Sequence, residues 1–233
     1  MSLPDVVSRD EWLVARKALL AKEKQFTRER DRLSEERRAL PWVKVDKDYA
    51  FDGPGGKETL SELFAGRNQL LVYHFMFGPD WTEGCPSCSF WADSFNGIVV
   101  HLSHRDVSLV AISRAPLEKL GAYKKRMGWD FKWVSSLHND FNHDYNVSFT
   151  PEERSTAVYN YAPGGFGSSE APGVSVFARD DAGNVFHTYS CYARGLDTLN
   201  SAYQLLDLVP KGRDEQGLPY PMAWVRRHDK YES

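Results

Sequence analysis

The chain has 233 residues, 42% of them hydrophobic and 26% charged, with a formal net charge of −3. That composition suits a folded chain with a sizeable core, and its balanced charge supplies no basic field for nucleic acid or an anionic membrane. Three cysteines are too few for a disulfide framework and fit a reducing compartment.

The first ten residues contain Pro4, Asp5 and Asp10 in place of an apolar signal-peptide core. The apolar run at 70–77 is far too short to span a bilayer. A cytoplasmic protein with no membrane contact is the expectation. Residues 9–38 then hold seventeen charged side chains, ten positive and seven negative, with no Gly or Pro. Ser8-Arg9-Asp10-Glu11 has capping-box spacing. Trp12, Leu19, Phe26 and Leu33 recur every seven residues, with Leu13 and Leu20 beside them. This predicts an amphipathic helix of about 45 Å. Charged residues (Arg16, Glu23, Arg30, Arg37) fill the intervening heptad positions, so a two-residue coiled-coil seam is poor. The helix is either laid on its own domain through a narrow stripe or a homodimer arm.

From residue 41 short strands and helices alternate. Strands are predicted at 42–45 and 49–51, with a turn at 52–56, a helical turn at 59–64, and a strand buried on both faces at 70–77. Helix 89–102, strand 107–112, helix 116–127 and strand 131–134 follow, then a helical turn at 140–145 and a Gly- and Ser-rich loop at 163–173. Asp180-Asp181-Ala182-Gly183-Asn184 separates strands 174–178 and 185–189 as a hairpin, and helix 196–208 ends before Pro210. The order β-α-β-α-β-β-α describes a mixed α/β sheet covered on both faces. Three parts result: an N-terminal helical arm over 1–40, the α/β domain over 41–210 and a C-terminal tail over 211–233. The tail's Arg226-Arg227-His228 is too brief to mark a nucleic-acid site.

Cys85-Pro86-Ser87-Cys88 lies between the strand at 70–77 and the helix that follows. A thiol at a helix start meets unpaired N–H groups that favour its thiolate. A second thiol one turn on is placed to attack a mixed disulfide formed by the first. Cys85 is therefore the candidate nucleophile and Cys88 the candidate resolving thiol; Cys191 has no assigned role. Glu83, if close, would raise the Cys85 pKa. Trp81 is a candidate wall of the site. His74 matters only if its imidazole reaches Cys85. Tyr159, Tyr161 and Phe166 are candidates for a lid over the site.

Three stretches carry a resemblance: Tyr49-Ala50-Phe51 with Gly55-Gly56-Lys57 and the helical turn 59–67, Ala111-Ile112-Ser113, and the turn 180–184. They resemble peroxiredoxin-like and thiol–disulfide proteins. Residues 70–89 together with 189–197 are similar to a bacterial thioredoxin-like family known only as a domain of unknown function. The resemblance implies a thioredoxin-like fold and a cis Pro172 facing Cys85, where it offers backbone to a bound peptide or thiol. It also raises peroxidase chemistry. Peroxiredoxins carry Pro-x-x-x-Thr-x-x-Cys, and Pro79, Thr82 and Cys85 fall one residue short of it. Thr82 would bond a peroxide over Cys85. The arginine that peroxiredoxins place at the start of the strand after the long loop is absent, since Gly173 and Val174 stand there; Arg114, Arg154 and Arg194 are the candidates to replace it in space.

The expected function is thus a thiol–disulfide oxidoreductase acting on a protein or small-molecule disulfide, with a dithiol as electron donor. The alternatives are a thiol peroxidase using Thr82 and Cys85, or a non-catalytic interaction module. Neither a cofactor nor a metal is expected. Cys85-x2-Cys88-x12-His101-x2-His104 approaches zinc-finger spacing. A continuous helix would put His101 roughly 20 Å from Cys85, although a break at Asn96-Gly97 would reopen the question. His138, Asp140, His143 and Asp144 read as a polar loop.

Overall fold

A computed structural model describes residues 5–232 and divides the chain into two compact units, Met1–Pro41 and Trp42–Ser233. The first unit is helix α1 (Arg9–Arg38). Its start is set by the capping box: Glu11 N–H donates to Ser8 Oγ at 3.3 Å, and Ser8 N–H donates to Glu11 Oε2 at 2.9 Å. Arg37 and Arg38 close the last turn, where positive charge opposes the helix dipole favourably.

The second unit is built on one eight-stranded sheet. Its strands are β1 (Val43–Lys44), β2 (Ala50–Gly53), β3 (Gly56–Thr59), β4 (Gln69–His74), β5 (Val107–Ser113), β6 (Lys132–Ser135), β9 (Gly173–Arg179) and β10 (Val185–Tyr192). The small hairpin of β7 (Val158–Tyr159) and β8 (Ala162–Pro163) stands apart from it. The helices are α2 (Pro86–Ala92), α3 (Val99–Ser103), α4 (Leu117–Arg126), α5 (Phe141–Asp144) and α6 (Ser201–Leu206). The sheet order is β1-β10-β9-β4-β5-β6-β2-β3. β4 and β5 are parallel, whereas β9 runs antiparallel to β4 and β10 antiparallel to β9. A β-α-β unit followed by an antiparallel hairpin on the other side of its first strand is the thioredoxin-like arrangement, here widened at both edges.

Successive residues of a strand point to opposite faces, and β4 shows this directly. Tyr73 joins one core cluster with Cys88, Ala92, Leu120 and Tyr123 from α2 and α4. Leu70 and Val72 join the other, with Leu63, Phe64 and Phe141. The sheet is therefore covered on both faces, which is why its central strands are apolar throughout.

Four expectations change. The strand expected at 70–77 ends at His74, because its antiparallel partner begins at Gly173 and Pro172 has no N–H to extend the ladder. The helix expected at 89–102 is two short helices. Gly97 takes φ +82°, and the Asn96 side chain is occupied by Gly128 O and Asp130 N–H. The helix expected at 196–208 is a 3-10 helix (Ala193–Leu199) followed by α6. Asn200 separates them with extended backbone and accepts the Tyr203 N–H at 3.0 Å. The loop expected at 163–173 starts inside the β7–β8 hairpin and ends inside β9.

Candidate active site

The chain leaves β4 into a buried segment, Phe75, Met76 and Phe77, and every carbonyl there is used. Phe75 O accepts from Ser113 Oγ at 2.6 Å, Met76 O from Cys85 N–H at 3.0 Å, and Phe77 O from Ala115 N–H at 2.8 Å. The Met76–Cys85 bond closes the loop 77–84 and sets Cys85 beside the end of the central strand. Gly84 is required there: a Cβ would come within 2.7 Å of the Phe75 ring and 3.2 Å of Tyr123. Cys85 is the N-cap residue of α2, with extended backbone, and Pro86 occupies the first turn, where a missing N–H costs nothing. Its carbonyl accepts from both Ser89 N–H (3.0 Å) and Ser89 Oγ (2.9 Å).

Cys85 is half-buried and Cys88 is 2% exposed. The Cys85 thiol is lowered to about 7. The hydrogen bond from Cys88 is the largest cause, burial opposes it, and the Cys88 and Ser87 N–H groups and the Arg227 charge add to it. Cys88 moves well above its ordinary value, because burial and the neighbouring Cys85 both disfavour a second thiolate. The pair thus divides into one sulfur ionised near neutral pH and one held protonated beside it. Tyr73, fully buried beneath them, donates to Cys88 O at 3.3 Å.

Sequence reasoning missed Arg227. Its Nε and Nη2 donate to Gly84 O at 3.1 and 2.7 Å, its Nε also reaches the Tyr123 hydroxyl at 3.0 Å, and its Nη1 pairs with Glu83 at 2.9 Å. One C-terminal side chain therefore holds the turn before Cys85 and lends it positive charge. Glu83 does not raise the Cys85 pKa as expected, since Arg126 and Arg227 both pair with it and its own carboxyl is lowered. The only sequence signal was Arg226-Arg227-His228 itself; Arg227 lies 143 residues from Gly84 in the chain, with nothing local to say where it goes. Replacing Arg227 by Met should raise the Cys85 pKa by roughly half a unit to one unit, as expected for losing one partly exposed charge. The pH dependence of iodoacetamide alkylation of Cys85 measures this. The rate should fall as pH drops through about 7 in the parent chain, and through a higher value in the variant.

A cavity of about 390 Å³ opens beside the two sulfurs. Tyr73, Met76, Trp91 and Leu196 form its floor and one wall; Phe166 and Pro172 come from the segment between α5 and β9, and Pro221 and Met222 from the C-terminal segment. That segment is pinned at two points. Arg213 pairs with Asp197 (2.7 Å) and Asp207 (2.6 Å). Glu215 accepts from the Tyr203 hydroxyl, Met222 N–H and Trp224 Nε1. Arg194 also lines the cavity, is exposed, and makes no hydrogen bond or ion pair among the described residues.

The predicted site residues separate accordingly. Pro172 lines the cavity with Cys85 and Cys88. The peptide bond before it is trans, contrary to the expectation; no cis bond occurs among the described residues, and trans is the lower-energy isomer when nothing local demands otherwise. Tyr159 donates to Pro172 O at 2.8 Å and occupies that carbonyl. Trp81 packs on the core and receives Lys119 on its carbonyl, without lining the cavity. Thr82 is exposed and forms no hydrogen bond among the described residues. His74 points to the opposite sheet face, where its Nε2 meets Ser175 Oγ at 2.8 Å between Phe141 and Tyr145, so it does not serve Cys85. Of the three arginines considered, Arg194 reaches the cavity, while Arg114 pairs with the buried Glu170. No group of three or more His, Cys, Asp or Glu among the described residues is placed to hold a metal ion. None of their helices is long and apolar enough to cross a membrane.

Fold and site define a thioredoxin-like α/β protein with a paired-cysteine motif at the end of its central strand. The chain belongs to the family described as "Bacterial protein of unknown function (DUF899)", whose model matches residues 1–231. No curated protein matches it. Solved structures similar to it include peroxidoxin BcpB from Mycobacterium tuberculosis, 15% identical over 71% of this chain and 97% of that one, with a TM-score of 0.45. Peroxiredoxin Q from Xanthomonas campestris is 14% identical over 72% and 98%, at 0.46. The mitochondrial 2-Cys peroxiredoxin of Plasmodium falciparum is 15% identical over 71% and 92%, at 0.42.

Proposed function

We propose that the protein is a thiol–disulfide oxidoreductase in which Cys85 attacks and Cys88 resolves. One observation carries the reading: a thiol lowered to about 7 stands at the mouth of an apolar cavity, hydrogen-bonded to a second, buried thiol held protonated. In the first step the Cys85 thiolate attacks one sulfur of a disulfide, forming a mixed disulfide and expelling one thiolate, which takes up a proton. Cys88, losing its proton, then attacks the Cys85 sulfur. An internal disulfide forms and the second substrate thiol leaves. Two electrons pass from protein to substrate, so a dithiol donor must reduce the pair again.

The cavity supports a small disulfide with an apolar body as substrate. Its volume lies within the range of small-molecule sites, and Phe166 and Met222 are among the apolar side chains that line it. The cytoplasm suits this reading, because its glutathione and thioredoxin pools keep such a pair reduced.

A peroxide would need help for its departing hydroxide from a positioned donor, and Thr82 does not line the cavity. Reduced protein should therefore turn over 2-hydroxyethyl disulfide faster than hydrogen peroxide at equal concentrations, and intact-mass analysis should show the loss of two hydrogens on oxidation, reversed by dithiothreitol. Faster peroxide consumption would replace this reading with a peroxidase. Thiols that neither oxidise nor exchange would leave an interaction module.

A further inference from the structure

Tyr73 lies on β4 in a place whose packing needs no hydroxyl. It is fully buried, and its ring meets Phe75 and Phe95 edge-on, with centroids 6.0 and 5.1 Å away. Phe75 and Phe77 fill neighbouring places in the same cluster with no polar side-chain atom. A buried hydroxyl costs stability unless it is bonded. The acceptor Tyr73 has, Cys88 O at 3.3 Å, is distant for an O–H···O bond. The same hydroxyl is in hydrogen-bonding contact with the Cys88 sulfur, where the Met76 N–H also donates. Tyr73, Met76, Cys85 and Cys88 line one cavity.

The two steps of disulfide exchange use these donors unequally. In the reduced pair Cys85 carries the charge, and Cys88 donates its S–H to it. Burial, that hydrogen bond and the Cys85 charge together hold the proton on Cys88. The first attack removes the charge, because Cys85 becomes one half of a neutral mixed disulfide. Two of the three effects that hold the proton then vanish, and burial alone remains. Opposing it are two donors aimed at the sulfur, one of them main chain and the other Tyr73. A donor already in place where negative charge develops is worth most in a site that excludes water.

We propose that the Tyr73 hydroxyl is a catalytic group of the second step, donating a hydrogen bond to the Cys88 sulfur as it becomes the nucleophile that attacks Cys85. The inference rests on the thiol–disulfide reading above. In that step the Cys88–Cys85 bond forms and the bond from Cys85 to the substrate breaks. Its electron pair leaves on the substrate sulfur, and the proton given up by Cys88 is balanced by the one that sulfur takes up. Tyr73 keeps its own proton throughout, since burial pushes its phenol well above the ordinary value.

The test is stopped-flow reaction of the reduced full chain, carrying Cys191→Ser, with equimolar dithiobis(nitrobenzoate), whose released thiolate is coloured. This parent should release two thiolates per chain in two phases, the first from attack by Cys85 and the second from resolution by Cys88, and end as an internal disulfide. Tyr73→Phe should leave the first phase and the far-ultraviolet circular dichroism unchanged. It should slow the second phase about ten- to hundredfold, the effect of losing one hydrogen bond to a charged group. Acid-quenched intact-mass analysis should find the mixed disulfide accumulating between the phases. Replacing Tyr73 by 3-fluorotyrosine keeps a donor on the same ring and should keep the parent's second phase. A second phase unchanged in Tyr73→Phe would overturn the inference and leave the reading beneath it intact. Both phases slowed alike would make Tyr73 a packing residue only and overturn it as well. A parent releasing a single thiolate, or none, would refute the resolving role of Cys88 and the inference with it.

Discussion

Changing Cys85 to Ser should reduce disulfide turnover by roughly 10⁴-fold or more, as expected when the attacking atom itself is lost. Changing Cys88 to Ser should do something different. The first attack needs only Cys85, so one substrate thiol should be released per chain and the protein should then stop as a mixed disulfide. Intact-mass analysis would find one half of the substrate attached to Cys85, removable by dithiothreitol. The attacking sulfur should ionise higher in Cys88→Ala, which leaves no donor at that position, since the hydrogen bond from Cys88 is the largest cause of its lowered pKa. The single attack of that variant should therefore be slower than in the parent at pH 7. Cys191→Ser is the control. Cys191 is half-buried and packs against the same core cluster as Cys85, and no step requires it. Sustained turnover by the Cys88→Ser chain would show that another group resolves the intermediate, and loss of that turnover in Cys88→Ser/Cys191→Ser would name it.

The largest stability effect is expected from Phe75→Ala. Phe75 is 1% exposed and lies within 4.6–6.4 Å, ring centre to ring centre, of Tyr73, Tyr123, Trp129 and Trp133. Four large rings drawn from β4, α4, β6 and the segment before β6 cannot collapse together to fill the space. Such a truncation costs about 3–5 kcal/mol, or roughly 10 °C in Tm for a chain of this size. Leu208→Ala, at a side chain 80% exposed, should change stability by less than about 0.5 kcal/mol. Because Phe75 also packs on Gly84, the variant should alkylate Cys85 with a shifted pH midpoint even below its Tm. A loss under about 1 kcal/mol would contradict the packing described for this face of the sheet.

Local patterns were enough for much of this fold. Ser8 and Glu11 announce the start of α1, because a capping box needs only residues three apart. The apolar run at 70–77 marks the central strand, since a strand covered on both faces has no polar side to show. The two cysteines announce themselves by spacing alone. What local patterns misjudged was where elements stop. β4 ends where its neighbour runs out at Pro172, and that neighbour is far along the chain. The helix after Cys88 breaks because Asn96 finds partners at Gly128 and Asp130.

The amino-acid sequence by itself determined the order of the central strands and which pair of sulfurs to examine, because both are written in periodicity or spacing over a few residues, and the thioredoxin-like class followed from family resemblance. Only the tertiary structure decided the environment of that pair. It brought Arg227 onto Gly84 O, turned Glu83 away from Cys85 into two ion pairs, and left Thr82 outside the cavity. It also used Met222 and Phe166, both from stretches with no secondary-structure signal, to close a site that β4 and α2 only begin. Charge and burial act through space over a few ångströms, so the Cys85 pKa depends on side chains whose sequence separation carries no trace of their proximity.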